Sequence, residues 1–233
     1  MFDRIELKEK AKVSFRANYW KCVLIAVIMN VVGAGAGAGG GNVEVNLNNS
    51  DISFMSASDM APIFAMLGTF VVGAVVVSIV ASIFLINPLR AGCLAFMRRN
   101  AEAPAELDVI GEGFKQYKNV VKTMFFADLY IFLWSLLFII PGIVKSYSYR
   151  MVPYLVVDHP ELSHQEILAM SAEMMEGNRW AAFVLDWSFF GWNLLSAFTA
   201  GLVGIFYAGP YQYQTNANLY LELSRMDRPT FEL

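Results

Sequence analysis

Two long apolar runs flank Pro141-Gly142 within the stretch from Asp128 to Pro160. Four ionisable residues lie in or beside these runs: Asp128, Lys145, Arg150 and Asp158. Apolar runs of this length are typical of membrane helices, and a charge inside hydrocarbon is costly. The stretch therefore predicts a transmembrane hairpin that carries buried charge.

The composition supports the membrane class. Hydrophobic residues make up 57% of the 233 residues and charged residues 16%, whereas a soluble domain averages about 25% charged. The net charge of −3 gives no overall basic field, so we expect no nucleic-acid partner. The expected surroundings are a lipid bilayer, including anionic lipids, with membrane proteins as further partners.

The pattern predicts one all-α integral-membrane domain over residues 1–233, a polytopic helical bundle of about six transmembrane helices arranged as three hairpins. The predicted spans are 19–39, 62–86, 120–140, 143–157, 181–197 and 202–221. Residues 3–17 place Leu7, Ala11 and Phe15 on one face and basic residues on the others, which predicts an amphipathic helix at the membrane interface. A capping box at Ser163 and Glu166 starts a predicted cytoplasmic helix over 163–178.

The distribution of basic residues predicts the orientation. With both termini in the cytoplasm of a multi-pass plasma-membrane protein, 15 of the 17 Lys and Arg residues lie on the cytoplasmic side, Lys145 and Arg150 being the exceptions. The polar stretch 42–59, which holds no Lys or Arg, then lies outside.

A repeated pattern accompanies the hairpins. An amphipathic stretch precedes each hairpin, and the returning helix carries a proline: Pro88, Pro153 and Pro210. Two interpretations stay open, namely three related hairpins, as in many membrane folds, or coincidence, because proline is common in membrane helices.

Counting residues from the predicted inner ends places Asp128, Arg150 and Asp186 at a similar depth, about 9–12 Å into the membrane at 1.5 Å per residue. The candidate intramembrane polar site consists of Asp128, Lys145, Arg150, Asp186, Tyr149, Gln212 and Asn216. It is either a functional site, such as a relay, an ion path or a headgroup pocket, or a structural ion pair that joins helices.

Catalytic and metal chemistry finds no support in the sequence. There is no Gly-x-Ser-x-Gly, Walker or His-Glu-x-x-His pattern, so we expect neither an enzyme nor a cofactor. Cys22 and Cys93 have no metal-ligand spacing, and His159 and His164 are best interpreted as interfacial or solvent-exposed.

Several segments resemble an uncharacterised bacterial integral-membrane family, the domain of unknown function DUF975. These segments are Asn18–Lys21, PGIVKSYSYRMVPYLVVDHPELS at 141–163, SAEMMEGNRW at 171–180, FVLDWSFFGW at 183–192 and GPYQYQTNANLYLEL at 209–223. The resemblance covers nearly the whole chain. It implies a multi-span plasma-membrane protein and brings no activity or catalytic residues. Arg150 departs from the small or polar residue expected after Tyr-Ser-Tyr.

Three functions follow from these observations. The first is a non-enzymatic scaffold or a subunit of a membrane assembly, which the absence of catalytic motifs favours. The alternatives are a small transporter, which intramembrane charges and proline-bearing helices favour, and a lipid-binding protein that holds headgroups near Lys145, Arg150 or the basic inner surface.

Overall fold

The computed structural model describes residues 2–37 and 57–226, and its architecture is all-α. The helices are α1 (Arg4–Ala17), α2 (Tyr19–Gly37), α3 (Ala57–Ala81), α4 (Asn87–Glu102), α5 (Glu112–Lys115), α6 (Tyr117–Leu137), α7 (Ile139–Ser148), α8 (Val152–Asp158), α9 (His164–Met174), α10 (Arg179–Trp187), α11 (Phe190–Phe198) and α12 (Gly209–Met226). Two π-helical turns, Ser82–Ile86 and Gly204–Ala208, and a 3-10 turn, Leu107–Gly111, complete the order.

Two of these helices are long and apolar enough to cross a membrane, judged by length and composition. They are residues 65–102, which run through α3, the π-helical turn and α4, and Tyr117–Leu137. The predicted span 62–86 therefore does not end at Asn87-Pro88, because the helix continues to Glu102. Pro88 stands in the first turn of α4, where the missing N–H is tolerated because the π-helical turn before it already interrupts the α-helical ladder.

The predicted Pro-Gly turn is displaced. Phe138, with φ −153° and ψ 135°, separates α6 from α7, so the predicted span 120–140 ends at Leu137. Pro141 lies in the first turn of α7, where no helical N–H is needed. Gly142 instead permits close packing of the two helices, because a Cβ there would lie 2.7 Å from Ser135 Cα.

The predicted span 143–157 is not one helix but α7 and α8, separated at residues 149–151. Pro153 explains the break, since it has no N–H and its ring would clash with the carbonyl group of residue 149 in a continuous helix. The predicted span 181–197 is likewise divided between α10 and α11, and the predicted span 202–221 begins with a π-helical turn and continues to Met226.

The two predicted amphipathic helices both form. In α1 the Asp3 carboxylate caps the helix by accepting from the Ile5 N–H at 2.8 Å, and Leu7, Ala11 and Phe15 are buried as one stripe. This stripe faces protein, because α1 packs on α12 and α4. The stripe is therefore covered by protein, and the location of α1 at the membrane interface stays a prediction. An amphipathic pattern predicts that one face of a helix contacts an apolar partner, but it does not indicate whether that partner is lipid or protein.

The capping box of α9 is confirmed. The Ser163 N–H donates to Glu166 Oε2 at 2.7 Å, and the Glu166 N–H donates to Ser163 Oγ at 3.4 Å. The helix ends at Met174, earlier than the predicted 178, and the chain then turns at Gly177, whose φ of 71° favours glycine.

The three returning helices α4, α8 and α12 form the centre of the bundle. Each has its proline, Pro88, Pro153 or Pro210, at its second position, and each follows an interruption of the preceding helix. α4 packs against both α8 and α12. In the described residues the element order repeats three times, with an amphipathic stretch, an outgoing helix and a proline-bearing return. The interpretation as three related hairpins stays a prediction.

Candidate functional site

An ion pair between Arg150 and Asp186 forms the centre of the candidate site. Arg150 Nη1 donates to Asp186 Oδ2 and Nη2 to Asp186 Oδ1, both at 2.6 Å. Arg150 Nη2 also donates to Asn216 Oδ1 at 2.7 Å. The Tyr147 hydroxyl group donates to Asp186 Oδ2 at 2.9 Å. The structure therefore brings together three of the predicted site residues, Arg150, Asp186 and Asn216.

The break between α7 and α8 positions Arg150. Because Pro153 interrupts the helix, Arg150 stands in a turn from which its side chain reaches both α10 and α12. The guanidinium carbon lies 5.5 Å from the centre of the Tyr147 ring, a distance at which cation–π attraction operates.

The geometry of the pair is that of a structural clamp. The Arg150 and Asp186 side chains are 16% and 28% exposed, and a bidentate arrangement satisfies both charges. A proton relay or ion path needs a group whose partners exchange, whereas here four side chains from three helical segments satisfy one another. The clamp fixes α10 and α12 to the turn between α7 and α8.

Asp128 does not join this clamp, so the predicted three-charge cluster is wrong. Its carboxylate instead lies beside Asn87 and near Arg90, both on α4. Equal depth along two helices does not bring side chains together, because each residue also rotates about 100° around its axis and Asp128 points to α4.

The remaining predicted residues lie around the clamp without joining it. Lys145 Nζ stands 5.7 Å from the Trp134 ring centre and 5.5 Å from that of Tyr149. Tyr149 is 6.4 Å from Tyr130, ring centre to ring centre. Gln212, one turn before Asn216 on α12, is half-buried and is not among the groups that hydrogen-bond Arg150 in the described part of the chain.

The sequence reasoning missed a buried amide network between α1, α2, α4 and α12. Asn100 Nδ2 donates to Gln214 Oε1 at 3.0 Å and to the Ser14 carbonyl group at 3.1 Å, and Asn100 Oδ1 accepts from Asn18 Nδ2 at 2.9 Å. Gln214 Nε2 donates to the Met97 carbonyl group at 3.0 Å. The available signal was Gln214 itself, which lies on a different face of α12 from Gln212.

A second missed cluster joins α4, α8 and α12. Arg98 Nε lies 3.1 Å from Asp158 Oδ1, and the Tyr220 hydroxyl group donates to Asp158 Oδ2 at 2.7 Å. The cluster borders a cavity of about 480 Å³ that is also lined by Glu102 and His159. Burial raises the pKa of the Asp158 carboxyl group, and the Tyr220 hydroxyl group and Arg98 offset part of that rise.

Comparison with known proteins agrees with the resemblance over part of the chain. Residues 136–227 match the model of a family described as "Protein of unknown function (DUF975)". The matched region contains Arg150, Asp186 and Asn216, while the Asn18–Lys21 segment lies outside it. No curated protein and no solved structure matches the chain. Residues 136–227 are therefore similar to the DUF975 family, whose function is unknown.

Proposed function

We propose that this chain is an integral protein of the plasma membrane, with both termini in the cytoplasm, and that it acts as a non-enzymatic scaffold or as a subunit of a membrane assembly. The exposure of α3 is the observation that carries the proposal. Every described side chain from residue 65 to residue 80 is exposed, and most of them are apolar. Met66 is 78% exposed and Phe70 76%.

Such a surface fits hydrocarbon better than water. Large contiguous apolar patches are rare on soluble monomers, since water makes their exposure unfavourable. In a bilayer the same side chains contact lipid chains without cost, and the α-helix satisfies its own backbone hydrogen bonds. The six predicted spans are part of the proposal. The first three, 19–39, 62–86 and 120–140, overlap long helical runs, whereas 143–157 and 181–197 are each divided between two short helices and 202–221 contains a π-helical turn.

Extraction of the native membranes with alkaline carbonate tests membrane integration. We expect the full chain to remain in the membrane pellet, together with a known multi-pass protein from the same cells. Release into the supernatant with a peripheral control protein would overturn the proposal.

Cysteine labelling tests the orientation. Cys22 and Cys93 are buried, so the background from them is low. We expect a membrane-impermeant maleimide to label Ser50→Cys on intact cells and to label Lys115→Cys only after the cells are opened, because Lys115 belongs to the basic cytoplasmic stretch. The reverse pattern would overturn the orientation and leave membrane integration intact.

The satisfied clamp supports the scaffold over the transporter. Arg150 already has bidentate contact with Asp186 and a further bond to Asn216, which leaves little of its charge for a mobile substrate. We expect in-cell cross-linking followed by purification in mild detergent to give a stoichiometric partner. A homogeneous monomer without partners would contradict the scaffold, and ligand-dependent thermal shifts that Arg150→Ala abolishes would favour a transporter.

A further inference from the structure

A groove runs along the outside of the bundle between α3 with its π-helical turn on one side and α6 on the other. It consists of two adjoining cavities of about 780 Å³ and 390 Å³, which share Ile83 and Phe125 in their linings. The larger volume lies within the range of about 300–1,000 Å³ that is typical of ligand sites. In the proposed topology the groove opens sideways into the bilayer.

The chemistry of the groove changes in order along its length. At the cytoplasmic end it is lined by Lys118 and Lys122, beside Tyr117, whose hydroxyl group donates to the Phe84 carbonyl group at 2.7 Å. The middle is lined by the polar side chains of Ser78, Ser82, Asn87 and Asp128. The outer end is apolar and contains Phe70, Val71 and Phe132.

We propose that this groove binds one anionic phospholipid of the cytoplasmic leaflet. The phosphate group interacts with Lys118 and Lys122. The glycerol ester groups lie at the polar band, where the Ser82 hydroxyl group supplies a hydrogen-bond donor, and an acyl chain follows the apolar end. The proposal rests on the membrane integration proposed above.

The spacing along α6 agrees with this arrangement. Lys122 and Asp128 are six residues apart, about 9 Å along the helix axis at 1.5 Å per residue. Lysine side chains extend toward the interface from this position, so the charged level lies outside the polar band, as it does in a phospholipid. Asp128 carries a negative charge, but the positive charge of nearby Arg90 offsets it, and Asp128 therefore does not repel the phosphate group strongly.

The charge is what selects an anionic lipid. Each basic side chain near an anionic leaflet contributes a modest attraction, and two of them held at one groove mouth act on the same phosphate group. A zwitterionic lipid gains less, because its own amine competes for the phosphate group and carries a compensating charge.

Lipid titration of purified, delipidated full-length protein in mild detergent tests the site. We expect phosphatidylglycerol to raise the melting temperature and to be retained in native mass spectra, with phosphatidylcholine weaker. The double variant Lys118→Gln, Lys122→Gln is expected to weaken phosphatidylglycerol binding by about 30-fold. Lys115→Gln is the matched control, since Lys115 is equally basic but lies outside the groove, 3.8 Å from Glu112. An unchanged affinity in the double variant would overturn the proposal.

A second pair of variants tests the apolar part of the groove. Val75→Trp fills the groove and is expected to abolish lipid retention, whereas Val77→Trp, on a different face of α3 outside the lining, is expected to retain it. Equal retention in both variants would overturn the groove as the binding site.

Further measurements distinguish a bound lipid from free phosphate or a second copy of the chain in the groove. Inorganic phosphate and glycerol phosphate are expected to give no thermal shift; a shift equal to that of the lipid would show a free-phosphate site and overturn the proposal. Dimerisation that Val75→Trp abolishes would assign the groove to a second copy instead. Carbonate extraction of the same variants keeps the outcomes distinct, because a protein that stays in the membrane but binds no lipid refutes only the site.

Discussion

α3 and α12 differ in both composition and burial. The more apolar helix is the exposed one, which is the opposite of the arrangement expected in a water-soluble protein. α3 is nearly all apolar, and its described side chains are exposed almost throughout. α12 is rich in amides and hydroxyls, yet Gln214 and Thr215 are completely buried and Asn218 is 7% exposed. In a water-soluble bundle the apolar helix would be inside.

The polar helix tolerates burial because its polar groups have partners. Gln214 bonds Asn100 and the Met97 carbonyl group, and Asn218 Nδ2 donates to the Gln214 carbonyl group at 3.0 Å. In hydrocarbon no solvent force drives α3 inward, whereas unsatisfied amides must be kept from lipid. The comparison therefore indicates that partner satisfaction, more than apolarity, decides which helix occupies the centre.

Val77→Arg on α3 gives the largest expected effect. In a bilayer an arginine near the centre of a helix costs about 3 kcal/mol, and we expect a large loss of carbonate-resistant protein. Val13→Arg on α1 is the matched control: Val13 is 71% exposed, as Val77 is 67%, but faces water in the proposed topology. The control is expected to change stability by at most about 0.5 kcal/mol. Equal effects of the two variants would break the comparison.

Arg150→Ala tests, on the Arg150–Asp186 clamp, whether buried polar groups are stable only when their partners are present. The change removes the cation from Asp186, which keeps only the Tyr147 hydroxyl donor, and truncating one member of a buried pair costs about 3–5 kcal/mol. Partial exposure of both side chains reduces the expected loss to about 2–3 kcal/mol, measured as equilibrium unfolding in detergent.

The double variant Arg150→Met, Asp186→Leu separates the charge pair from its hydrogen bonds. Removing both charges is expected to recover most of the stability lost in Arg150→Ala, since no carboxylate is then left unpaired. A double variant that is less stable than Arg150→Ala would mean that the pair is itself a strong source of stability.

Gln214→Ala tests the amide network of α12 itself. The variant removes the bonds that Gln214 makes with the Met97 carbonyl group and the Asn100 amide group, and we expect a loss of about 2 kcal/mol in the free energy of unfolding. Gln212→Ala on the same helix is the control, expected within about 0.5 kcal/mol because Gln212 is half-buried. Similar losses in the two variants would contradict the assignment of α12's burial to this network.

Local signals in the sequence predicted the parts of the structure that depend on neighbours along the chain. The helix type, the buried stripe of α1 and the capping box at Ser163 depend on spacings of three or four residues, which the sequence displays directly. The sequence also placed Arg150 and Asp186 at a similar depth, where opposite charges in apolar surroundings stabilise each other.

Features that depend on the direction of a side chain around its helix axis, or on packing between helices, could not be predicted from the sequence. Asp128 shares a depth with Arg150, yet its direction around α6 sends it to Asn87, and no residue count reveals that direction. Phe138 ends α6 without any turn signature of its own, while the conspicuous Pro141-Gly142 fits inside the next helix. Pro153 is a recognisable signal for a helix break, and the prediction of one continuous span over 143–157 did not take it into account.

Ser163→Ala gives the smallest expected effect. It lies on α9, outside the apolar surface of α3, and shows how large a purely local loss of stability is. Loss of this N-cap is expected to cost about 1 kcal/mol, read from hydrogen exchange of the α9 amides. Gln165→Ala, at an exposed neighbour, is expected to leave the exchange unchanged.

The Ser163 N–H holds the pKa of Glu166 below its ordinary value. The stabilisation from Glu166 is therefore present above that ordinary pKa and is lost as the pH falls through the lowered one. Glu166→Gln should remove this acid dependence while α9 keeps its Ser163 cap; acid loss that persists in Glu166→Gln would assign it to another group.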